Sequence, residues 1–431
     1  MLKIKHVDLE FVKKVIEGFK AINEYQYIPV EKAFSRVLAE NIHSTIDNPQ
    51  RDIAHFDGYA VKFSNVAKAS PREPIRLKVI GEIYPGEIKD LKIDNGEAVY
   101  VATGAHIPQG SDTLIPIEKV STFEDFIEII HPPPMKEWHV IRRCSDFSKG
   151  DLIIRQGQVL RPIDIEVLKY IGIDYVKVLR RLRIGILSIG SELIMNRAQI
   201  TQGKSISTRH LLVEGFLKKL NLEVLNLGIV RDDLEQIKRA IANSLELVDI
   251  LITIGGASVG KKDLVHKAIE SLDNGEILFH GVRVKPGRQT GLGVVNGKPV
   301  VMLPGLVQST YVGMHVVLEP LIMKIQGVDA STLYSAHILK AECVEGFEER
   351  SFPSFIRVVF ARSIDYRLGK VIARPYVKES FAYSPILKSD LALILPPMKV
   401  RVKDHEEVLA LATSYVNWLD PLITVLREHS N

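Results

Sequence analysis

The segment LVDILITIGGASVGKKD (247–263) joins a run of apolar residues to a cluster of glycines with polar neighbours. Glycines in the run GGASVG (255–260) would let backbone N–H groups point inward, and Ser258 adds a hydroxyl donor. Such a turn before a helix N-terminus favours an anion. The alternative is a tight turn between a strand and a helix, with Asp263 as the N-cap of that helix. The segment by itself leaves both interpretations open.

Cationic residues follow the next predicted strand. Lys285-Pro286-Gly287-Arg288 comes after that strand, and Leu303-Pro304-Gly305 comes after the one that succeeds it. Because the carboxyl ends of parallel strands meet at one edge of a sheet, we expect these turns to lie beside residues 255–260. Lys285 and Arg288 would then complement a phosphate-bearing ligand. In the alternative interpretation they belong to a solvated loop.

Carboxylates are the third group of residues that could do chemistry at this edge. Asp232 and Asp233 follow the predicted strand that ends at Val230, and Asp263 follows the glycine run. Carboxylates beside a phosphate site typically hold Mg²⁺, which takes oxygen ligands and bridges to phosphate oxygens. Each of these residues could instead cap the helix that follows it, and for Asp233 we favour the capping role.

Apolar strands that alternate with amphipathic helices from 181 to about 326 would position these residues. The run DILITIGG (249–256) is typical of a buried strand, and we expect a helix to begin at Asp263. EILFHGVRV (276–284) is predicted as a single further strand. The pattern predicts an open, doubly wound α/β domain with a mostly parallel sheet, whose ligand lies beyond the carboxyl ends of the strands.

The chain has a different character on either side of this α/β region. VDLEFVKKVIEGFKAI (7–22) and VEKAFSRVLAENI (30–42) have the apolar spacing of helices, and prolines with short β-branched runs then indicate a β domain. Short strands return after 330 and precede a helical C-terminal segment. The predicted domains are a split helical and mixed domain over 1–48 and 138–180, an inserted β domain over 49–137, the α/β domain over 181–328, and a C-terminal β domain with a terminal helix over 329–431.

Composition restricts the class of protein. With 46% hydrophobic and 25% charged residues among 431, the chain is typical of a globular protein of several domains. A net charge of +4 gives no reason to expect nucleic acid or a membrane as a partner, and no apolar run approaches the roughly 20 residues of a membrane helix. The charged N-terminal segment predicts no export signal, and Cys144 and Cys343 are expected to be incidental thiols. We therefore expect a cytoplasmic protein.

Motifs spread over almost the whole chain resemble those of the molybdopterin molybdenumtransferase family, which includes MoeA and the E domain of gephyrin. The matching segments are FDGYAV (56–61), ATGAHIPQGSDTLIP (102–116), HVIRRCSDFSKGD (139–151), GQVLRPIDIEVLKYIGI (157–173), ILSIGSEL (186–193), GIVRDD (228–233), DILITIGGASVGKKD (249–263), VKPGR (284–288) and LPG (303–305). Each motif is weak alone, and their shared order and spacing make the resemblance specific.

The resemblance implies an activity and an assembly. Members of the family join molybdate to the dithiolene of adenylylated molybdopterin, release AMP and form molybdenum cofactor with the help of Mg²⁺. They are elongated homodimers whose active cleft takes residues from both subunits, and a molybdopterin adenylyltransferase is the implied upstream donor. The implied fold combines a split helical domain, an inserted β domain, a doubly wound α/β domain that binds molybdopterin, and a C-terminal β barrel.

The resemblance also assigns roles at the matching positions. The predicted catalytic residues are Asp57, Thr103, Asp146, Asp164 and Asp232, the predicted metal ligands are Asp232 and Asp263, and the predicted substrate-binding residues are Gly255, Gly256, Ser258, Gly260, Lys285, Arg288, Pro304 and Gly305. At Asp164 the family has glutamate, so a carboxylate is kept on a shorter arm. We expect valine at position 256 to block the approach of a ligand without disturbing the fold.

Several positions depart from the family pattern, namely Ser191, Ser207, Arg209, Gly281, Leu306 and Val307. They leave open a non-catalytic protein that binds molybdopterin, or a scaffold, as alternatives to the enzyme. The retained carboxylates at Asp57, Asp146, Asp232 and Asp263 favour the enzyme, whereas Leu306, in place of an asparagine, favours the binding protein. Molybdate and tungstate are not distinguished, because both are tetrahedral oxyanions of nearly equal size.

Overall fold

The computed structural model describes residues 6–196, 198, 200–256, 264–329, 338–367, 370–413, 418–419, 422–423 and 427. The chain divides into two compact units. The larger unit comprises residues 1–40, 156–165 and 175–431, and the smaller unit comprises residues 41–155 and 166–174. The smaller unit is therefore inserted into the sequence of the larger one. The predicted domain boundaries are finer than this division and stay predictions.

The secondary structure begins with a helix and continues mainly as strands up to residue 180. The elements there are α1 Leu9–Glu17, β1 Tyr25–Pro29, β2 Ile42–His43, β3 Ile53–Ala54, β4 Gly58–Val61, α2 Phe63–Val66, β5 Ile75–Ile83, β6 Glu97–Val101, β7 Thr113–Pro116, β8 Ser121–Thr122, β9 Phe126–Ile129, β10 Val140–Ile141, β11 Leu152–Ile154, α3 Pro162–Tyr170 and β12 Tyr175–Leu179, with short 3₁₀ turns at Val30–Lys32 and Ile117–Lys119.

Helices and strands then alternate, and strands dominate again after residue 338. From 181 to 329 the elements are β13 Arg183–Ile189, β14 Leu193–Ile194, β15 Ser205–Ile206, α4 Arg209–Lys219, β16 Glu223–Val230, α5 Leu234–Leu247, β17 Ile250–Ile254, α6 Val265–Glu270, β18 Gly275–His280, β19 Val284–Lys285, β20 Gly291–Val295, β21 Lys298–Leu303, α7 Val307–Gly313, a π-helical segment Met314–Leu318 and α8 Glu319–Ile325. The later elements are β22 Leu339–Cys343, β23 Phe347–Glu348, β24 Ile356–Arg367, β25 Lys370–Pro375, α9 Ser384–Lys388, β26 Leu391–Leu395, β27 Arg401–Val402 and β28 Glu407–Ala412.

A six-stranded α/β sheet lies in the larger unit, with the strand order β16-β13-β17-β21-β20-β18. β13 pairs in parallel with both β16 and β17, and β17 pairs in parallel with β21. Every residue of β17 is buried, because both faces of this central strand are covered. The mostly parallel sheet that the sequence predicts is confirmed.

Successive residues of the central strands pack on opposite faces of this sheet. Ile252 belongs to the hydrophobic core that contains Val213 of α4 and Leu321 of α8. Its neighbour Leu251 belongs to a second core, which contains Ile241 of α5 and residues of α6. Helices therefore cover both faces, which confirms the doubly wound arrangement.

The far edge of the sheet, formed by β20 and β18, differs from the prediction. β20 pairs antiparallel with both β21 and β18. The strand expected over 276–284 is broken after His280, where Gly281 has a φ of 105°. Val284 and Lys285 form β19, which pairs with β24 in another sheet. The prediction of one continuous strand is wrong because a glycine at positive φ, which has no Cβ to clash, turns the chain out of the sheet.

That other sheet of the larger unit has the strand order β19-β24-β25-β22-β28-β26. β26 also pairs antiparallel with β24, so β24, β25, β22, β28 and β26 close into a barrel. Closure leaves these strands without an open edge. Small and branched residues such as Ala341, Ala361 and Leu393 belong to its hydrophobic cluster. The implied C-terminal β barrel is confirmed, and most of the predicted terminal helix lies outside the described residues.

The smaller unit is built around a sheet with the order β7-β4-β6-β5-β9-β8. All residues of β4 are buried, and they alternate between two hydrophobic clusters, with Tyr59 and Val61 in one and Ala60 in the other. β4 therefore lies between two apolar layers, and the predicted inserted β domain is confirmed.

Two helices were predicted near the N-terminus, and one of them forms. The structure contains α1, where the Asp8 carboxylate accepts a hydrogen bond of 2.8 Å from the Phe11 N–H and so caps the first turn. The predicted helix over 30–42 is wrong: only Val30–Lys32 makes a 3₁₀ turn, and Leu38 then forms a β-bridge with Val178. Pairing with distant strands satisfies this backbone, which outweighs the helical spacing of its apolar residues.

The described helices are short. α5 has 14 residues and buries Ile237, Ile241 and Leu245 along one side, and α4 has 11 residues. Within the described ranges, no helix combines the length and the apolar character that crossing a membrane would require.

Candidate functional site

The ends of adjacent parallel strands bring several turns together. β16, β13, β17 and β21 are neighbours that run in the same direction, so their carboxyl ends lie along one edge, called here the sheet rim. The turns after these strands contain Asp232, Ser191, Gly255 and Gly305. Ligands of open α/β sheets bind beyond this edge. The sheet rim is therefore the candidate site of the larger unit.

Close packing requires glycine at two positions of the sheet rim. Gly255 has a φ of 89° and Gly256 a φ of 65°. A Cβ at Gly255 would lie 2.3 Å from the carbonyl oxygen of Ile189, and one at Gly256 would lie 2.8 Å from Cγ2 of Val265. The Gly255 N–H also donates to the Leu303 carbonyl at 3.0 Å. This geometry contradicts the expectation that valine at position 256 would leave the fold intact.

Three further residues that the sequence predicts for this site lie outside the described residues. They are Ser258, Gly260 and Asp263, whose predicted roles stay predictions. The next helix, α6, begins at Val265 with Leu264 in the N-cap position and no capping side chain. The helix start predicted at Asp263 falls outside the described residues and stays a prediction.

Asp232 and Ser191 hold each other across the ends of β16 and β13. The Ser191 N–H donates to Oδ2 of Asp232 at 2.8 Å, and the Asp232 N–H donates to the Ser191 hydroxyl at 3.0 Å. The reciprocal pair fixes the Asp232 carboxylate at the sheet rim. The next residue, Asp233, accepts a bond of 2.8 Å from the Gln236 N–H and caps α5. The capping role favoured for Asp233 is confirmed.

Two cations at the sheet rim were missed by the sequence reasoning. The Lys204 ammonium donates to the Ser191 carbonyl at 2.7 Å. Nε of Arg209 donates to the Gly305 carbonyl at 2.9 Å, and its guanidinium lies 4.8 Å from the ring centre of Tyr383. Lys204 was not singled out, and Arg209 was noted only as a departure from the family. The signal was their position after the carboxyl end of β13, with Lys204 in the connection and Arg209 at the start of α4.

Lys285 and Arg288 are directed towards other residues. The Lys285 ammonium lies 3.2 Å from Oε1 of Glu349 and also donates to the Ser351 hydroxyl. Burial raises the pKa of Glu349, but hydrogen bonds from Ser351 and Lys285 outweigh it and leave that pKa lowered. The Arg288 guanidinium lies 4.7 Å from the ring centre of Phe352. Lys285 thus belongs to β19, and the expectation that its segment follows a strand of the α/β sheet is wrong.

The smaller unit brings Asp57 and Thr103 together, although they are 46 positions apart. Oδ1 of Asp57 accepts hydrogen bonds of 2.7 Å from the Thr103 N–H and 2.8 Å from its hydroxyl. These bonds lower the pKa of Asp57. The turn is tightly placed, since a Cβ at Gly58 would lie 2.2 Å from the Ile115 carbonyl oxygen. Both hydrogen bonds go to one oxygen of Asp57, so Oδ2 is available to a ligand.

Asp146 belongs to a second polar group of the smaller unit. Its Oδ2 accepts a bond of 2.7 Å from the Asn48 amide, and the Asn48 carbonyl oxygen accepts one of 2.7 Å from the Tyr170 hydroxyl. Asp47, next in the chain to Asn48, was missed by the sequence reasoning. The backbone N–H of Lys149, together with an arginine side chain, lowers the pKa of Asp47 to about 2. This carboxylate is therefore ionised at any physiological pH.

Asp164 stabilises the first turn of α3, the helix that contains it. It lies in the first turn of α3, and its side chain is 6% exposed. Its Oδ2 accepts bonds of 2.7 Å from the Arg161 N–H and 3.0 Å from Nε of Arg161, while Oδ1 accepts one of 2.9 Å from the same guanidinium. Burial raises the pKa of Asp164, and the bonds from Arg161 outweigh it and lower that pKa. The bond from the Arg161 N–H satisfies a backbone donor at the start of α3, as the acidic residue of a capping box does.

A metal ion at this site would need ligands from a substrate in addition to those from the protein. In the described part of the chain, no group of three or more His, Cys, Asp or Glu side chains converges in a way that could hold a metal ion. Mg²⁺ commonly takes only one or two protein carboxylates and completes its shell with water and substrate phosphates. The Asp232 carboxylate at the sheet rim fits that requirement, because Oδ1 is left for a cation when Oδ2 bonds to Ser191.

Comparison with known proteins defines the class. Residues 8–172 match the MoeA N-terminal region, domains I and II, and residues 185–324 match a probable molybdopterin-binding domain. The second match covers the doubly wound sheet and its rim. The fold and the site thus define a protein of the molybdopterin-binding class.

The chain belongs to the MoeA family of molybdopterin molybdenumtransferases. It is 31% identical over 314 residues to the molybdopterin molybdenumtransferase of Haemophilus influenzae, which covers 73% of this chain and 76% of the relative. It is 29% identical over 393 residues to that of Staphylococcus aureus (strain MSSA476), covering 89% and 91%. The crystal structure of a molybdopterin biosynthesis MoeA protein from Pyrococcus horikoshii matches with a TM-score of 0.79 at 26% identity, covering 95% of this chain and 100% of that one. The predicted family and fold class are confirmed.

The close approach at Gly255 generates a stability prediction. Gly255→Ala should lower the free energy of unfolding by about 1–3 kcal/mol, because its Cβ would collide with the Ile189 carbonyl at positive φ. Gly305→Ala is the matched control: its Cβ would meet nothing closer than 3.9 Å, so the change should stay within about 0.5 kcal/mol. Guanidinium unfolding of both variants measures the difference, and equal stability would refute the packing argument.

The Asp57–Thr103 contact generates a titration prediction. Because the folded pKa of Asp57 is lowered, its ionised form stabilises the fold above the unfolded pKa, and this contribution is lost as pH falls through the folded pKa. Thr103→Val removes the hydroxyl donor and should raise the pKa of Asp57 towards the ordinary aspartate value. Carboxyl ¹³C NMR measures it, with Thr122→Val on the exposed strand β8 as control. An unshifted Asp57 pKa in Thr103→Val would contradict the assigned role of the hydroxyl.

Proposed function

We propose that this chain is a molybdopterin molybdenumtransferase, which joins molybdate to adenylylated molybdopterin and releases AMP. Membership of the family supports a place in molybdenum cofactor biosynthesis. The observation that carries the finer proposal is the Asp232 carboxylate, which Ser191 holds at the sheet rim. Molybdate and the pterin phosphates are anions, so a fixed carboxylate beside them is useful only where a cation joins the two.

The cations of the sheet rim support the same proposal. Lys204 and Arg209 are oriented by hydrogen bonds to the carbonyls of Ser191 and Gly305. A bond to a neutral carbonyl orients a cation and leaves its net charge in place. These two side chains can therefore neutralise a pyrophosphate bound over the turns of β13 and β21.

The proposed chemistry needs no nucleophile from the protein. The work of the chain is to hold two anions close together and to offset their charge, which positioning and fixed charges achieve. Mg²⁺, when bound by Asp232, would supply further positive charge towards the phosphate oxygens. Gly305, where an added Cβ would meet nothing closer than 3.9 Å, leaves the backbone of the sheet rim open to a flat or bulky ligand. In the smaller unit, the Asp57 carboxylate keeps Oδ2 available to a ligand.

A second candidate is a protein that binds the pterin without converting it. Two of the predicted site residues have internal partners: Asp164 is held by Arg161, and Lys285 is paired with Glu349. Their charges are thus already neutralised within the chain. The binding protein keeps the sheet rim as its site and differs from the enzyme in releasing no AMP.

The test of the function uses the purified full-length chain. It is incubated with adenylylated molybdopterin, molybdate and Mg²⁺, and AMP is measured by chromatography, with a parallel arm in which tungstate replaces molybdate. Release of AMP that depends on the oxyanion supports the transferase. Binding of the adenylylated pterin without AMP release in either arm would overturn the transferase in favour of the binding protein.

The two adjacent aspartates allow a matched pair of variants. Asp232→Asn keeps an acceptor for the Ser191 N–H but loses the negative charge, so we expect AMP release to fall by about 100-fold or more with unchanged thermal stability. Asp233→Asn should be silent in both measurements, because asparagine caps a helix as well as aspartate. Equal AMP release from the two variants across a Mg²⁺ titration would refute the assigned role of Asp232.

We further propose a homodimer supplied by a molybdopterin adenylyltransferase. The proposal rests on the family, whose active cleft takes residues from both subunits, and on the need for an adenylylated substrate. Sedimentation equilibrium at micromolar concentration should give twice the chain mass of 48.3 kDa. A mass of 48.3 kDa under these conditions would contradict the dimer.

A further inference from the structure

A pocket of about 220 Å³ lies in the larger unit at the edge of the α/β sheet opposite the sheet rim. Arg181, which lines it, lies two residues before β13, and Leu222 lies directly before β16, so the pocket adjoins the amino ends of those strands. The described residues that line it include Arg36, Arg181 and Lys219 and no acidic side chain. Most of the others are apolar, such as Leu222 and Met323. The pocket thus combines an apolar wall with an excess of positive charge.

Arg36 lines the pocket and is buried. The residue is 6% exposed. One of its guanidinium nitrogens donates to the Leu179 carbonyl at 2.8 Å and to Oε1 of Gln26 at 3.1 Å. Burial and then the nearby charge of Arg181 lower the pKa of Arg36, with an opposing contribution from Glu223. An arginine is seldom buried without a paired acid. The partners of Arg36 are neutral, so its charge is not cancelled by them.

Arg181, which also lines the pocket, has a buried donor without a partner. Its Nε is buried and has no hydrogen-bond partner. The backbone around it is clamped by Gln326, which donates to the Arg180 carbonyl at 2.7 Å and accepts from the Leu182 N–H at 3.3 Å. A buried donor without a partner costs free energy, and it is usually satisfied by water or by a ligand. The clamp fixes the backbone that carries Arg181 and so holds its side chain beside the pocket.

A purely structural role for these arginines is the alternative. The C-terminal carbonyls of α4 and α8 carry partial negative charge that cations stabilise. Those carbonyls, however, already have backbone donors: Leu217 accepts from Leu222, Lys218 from Asn221, and Met323 from Val328. These three carbonyls are therefore satisfied without Arg181, and its Nε remains unpaired. A helix-capping role does not account for that donor.

We propose that this pocket binds a small organic carboxylate, whose carboxylate group pairs with Arg181 and Arg36 and whose apolar body packs against Leu222 and Met323. A guanidinium matches a carboxylate with parallel N–H donors, and such charge-assisted pairs are among the strongest hydrogen bonds in proteins. An apolar cavity of about 150 Å³ is known to hold benzene, so about 220 Å³ has room for a ring with a carboxylate. This site is separate from the sheet rim and does not depend on the proposed function.

Benzoate and benzamide are the probes that test it, because they share shape and differ in charge. Titration calorimetry on the full-length chain should show benzoate binding at least about tenfold more tightly than benzamide, the difference expected for a charge-assisted pair. Added salt should weaken benzoate binding, since the contact is partly ionic. Equal affinity for the two probes, or no binding of benzoate, would overturn the proposal.

Variants locate the binding site. Arg181→Gln should weaken benzoate binding by about tenfold or more, and Arg181→Lys should recover part of it. Lys219→Gln should weaken it less, because Lys219 is exposed, whereas Lys218→Gln should have no effect, because Lys218 pairs with Glu214 and does not line the pocket. Unchanged benzoate affinity in Arg181→Gln would place the binding elsewhere and refute the proposal. Should that variant fail to fold, the comparison of benzoate with benzamide on the parent chain decides the question.

Discussion

The backbone of Gly255 passes so close to the Ile189 carbonyl that a single additional carbon does not fit between them. This contact joins the ends of β13 and β17, and the Gly255 N–H joins β17 to the Leu303 carbonyl at the end of β21. Three neighbouring strands thus finish in register at one edge. The turn of Ser191, which holds Asp232, starts from the same place. The candidate site depends on glycine here because the strands are packed edge to edge, independently of any ligand.

The second constraint is the change of direction at Gly281. Its positive φ ends β18 and sends the following residues into the sheet of the barrel, where Val284 and Lys285 pair with β24. One stretch of chain therefore contributes β18 to the α/β sheet and β19 to the barrel sheet. Lys285 meets Glu349 and Ser351 as a consequence. The cations of the sheet rim come instead from the connection after β13 and from the first residue of α4.

The acidic residues differ in what their partners leave free. Asp164 accepts bonds on both oxygens and is nearly fully buried, so its charge serves the start of α3. Asp232 and Asp57 each accept their bonds on one oxygen, which orients the carboxylate and leaves the other oxygen for a ligand. A hydrogen bond that orients a charge without cancelling it is what a site for positioning anions requires. Arg181 differs from the arginines of the surface that form ion pairs, because its buried Nε has no hydrogen-bond partner.

The sequence by itself determined the family, the doubly wound sheet and the capping role of Asp233, because periodicity, glycine turns and cap residues act over a few positions. It also indicated Asp57 and Thr103, though only through family motifs, since nothing local joins residues 46 positions apart. The tertiary structure alone determined the conformation of residues 30–42, which pair with distant strands although their apolar residues have helical spacing. It likewise placed Lys285 in the barrel sheet and Arg209 at the sheet rim, and it enclosed Arg181 in a pocket. These outcomes depend on which distant segments meet, and no spacing along the chain records that.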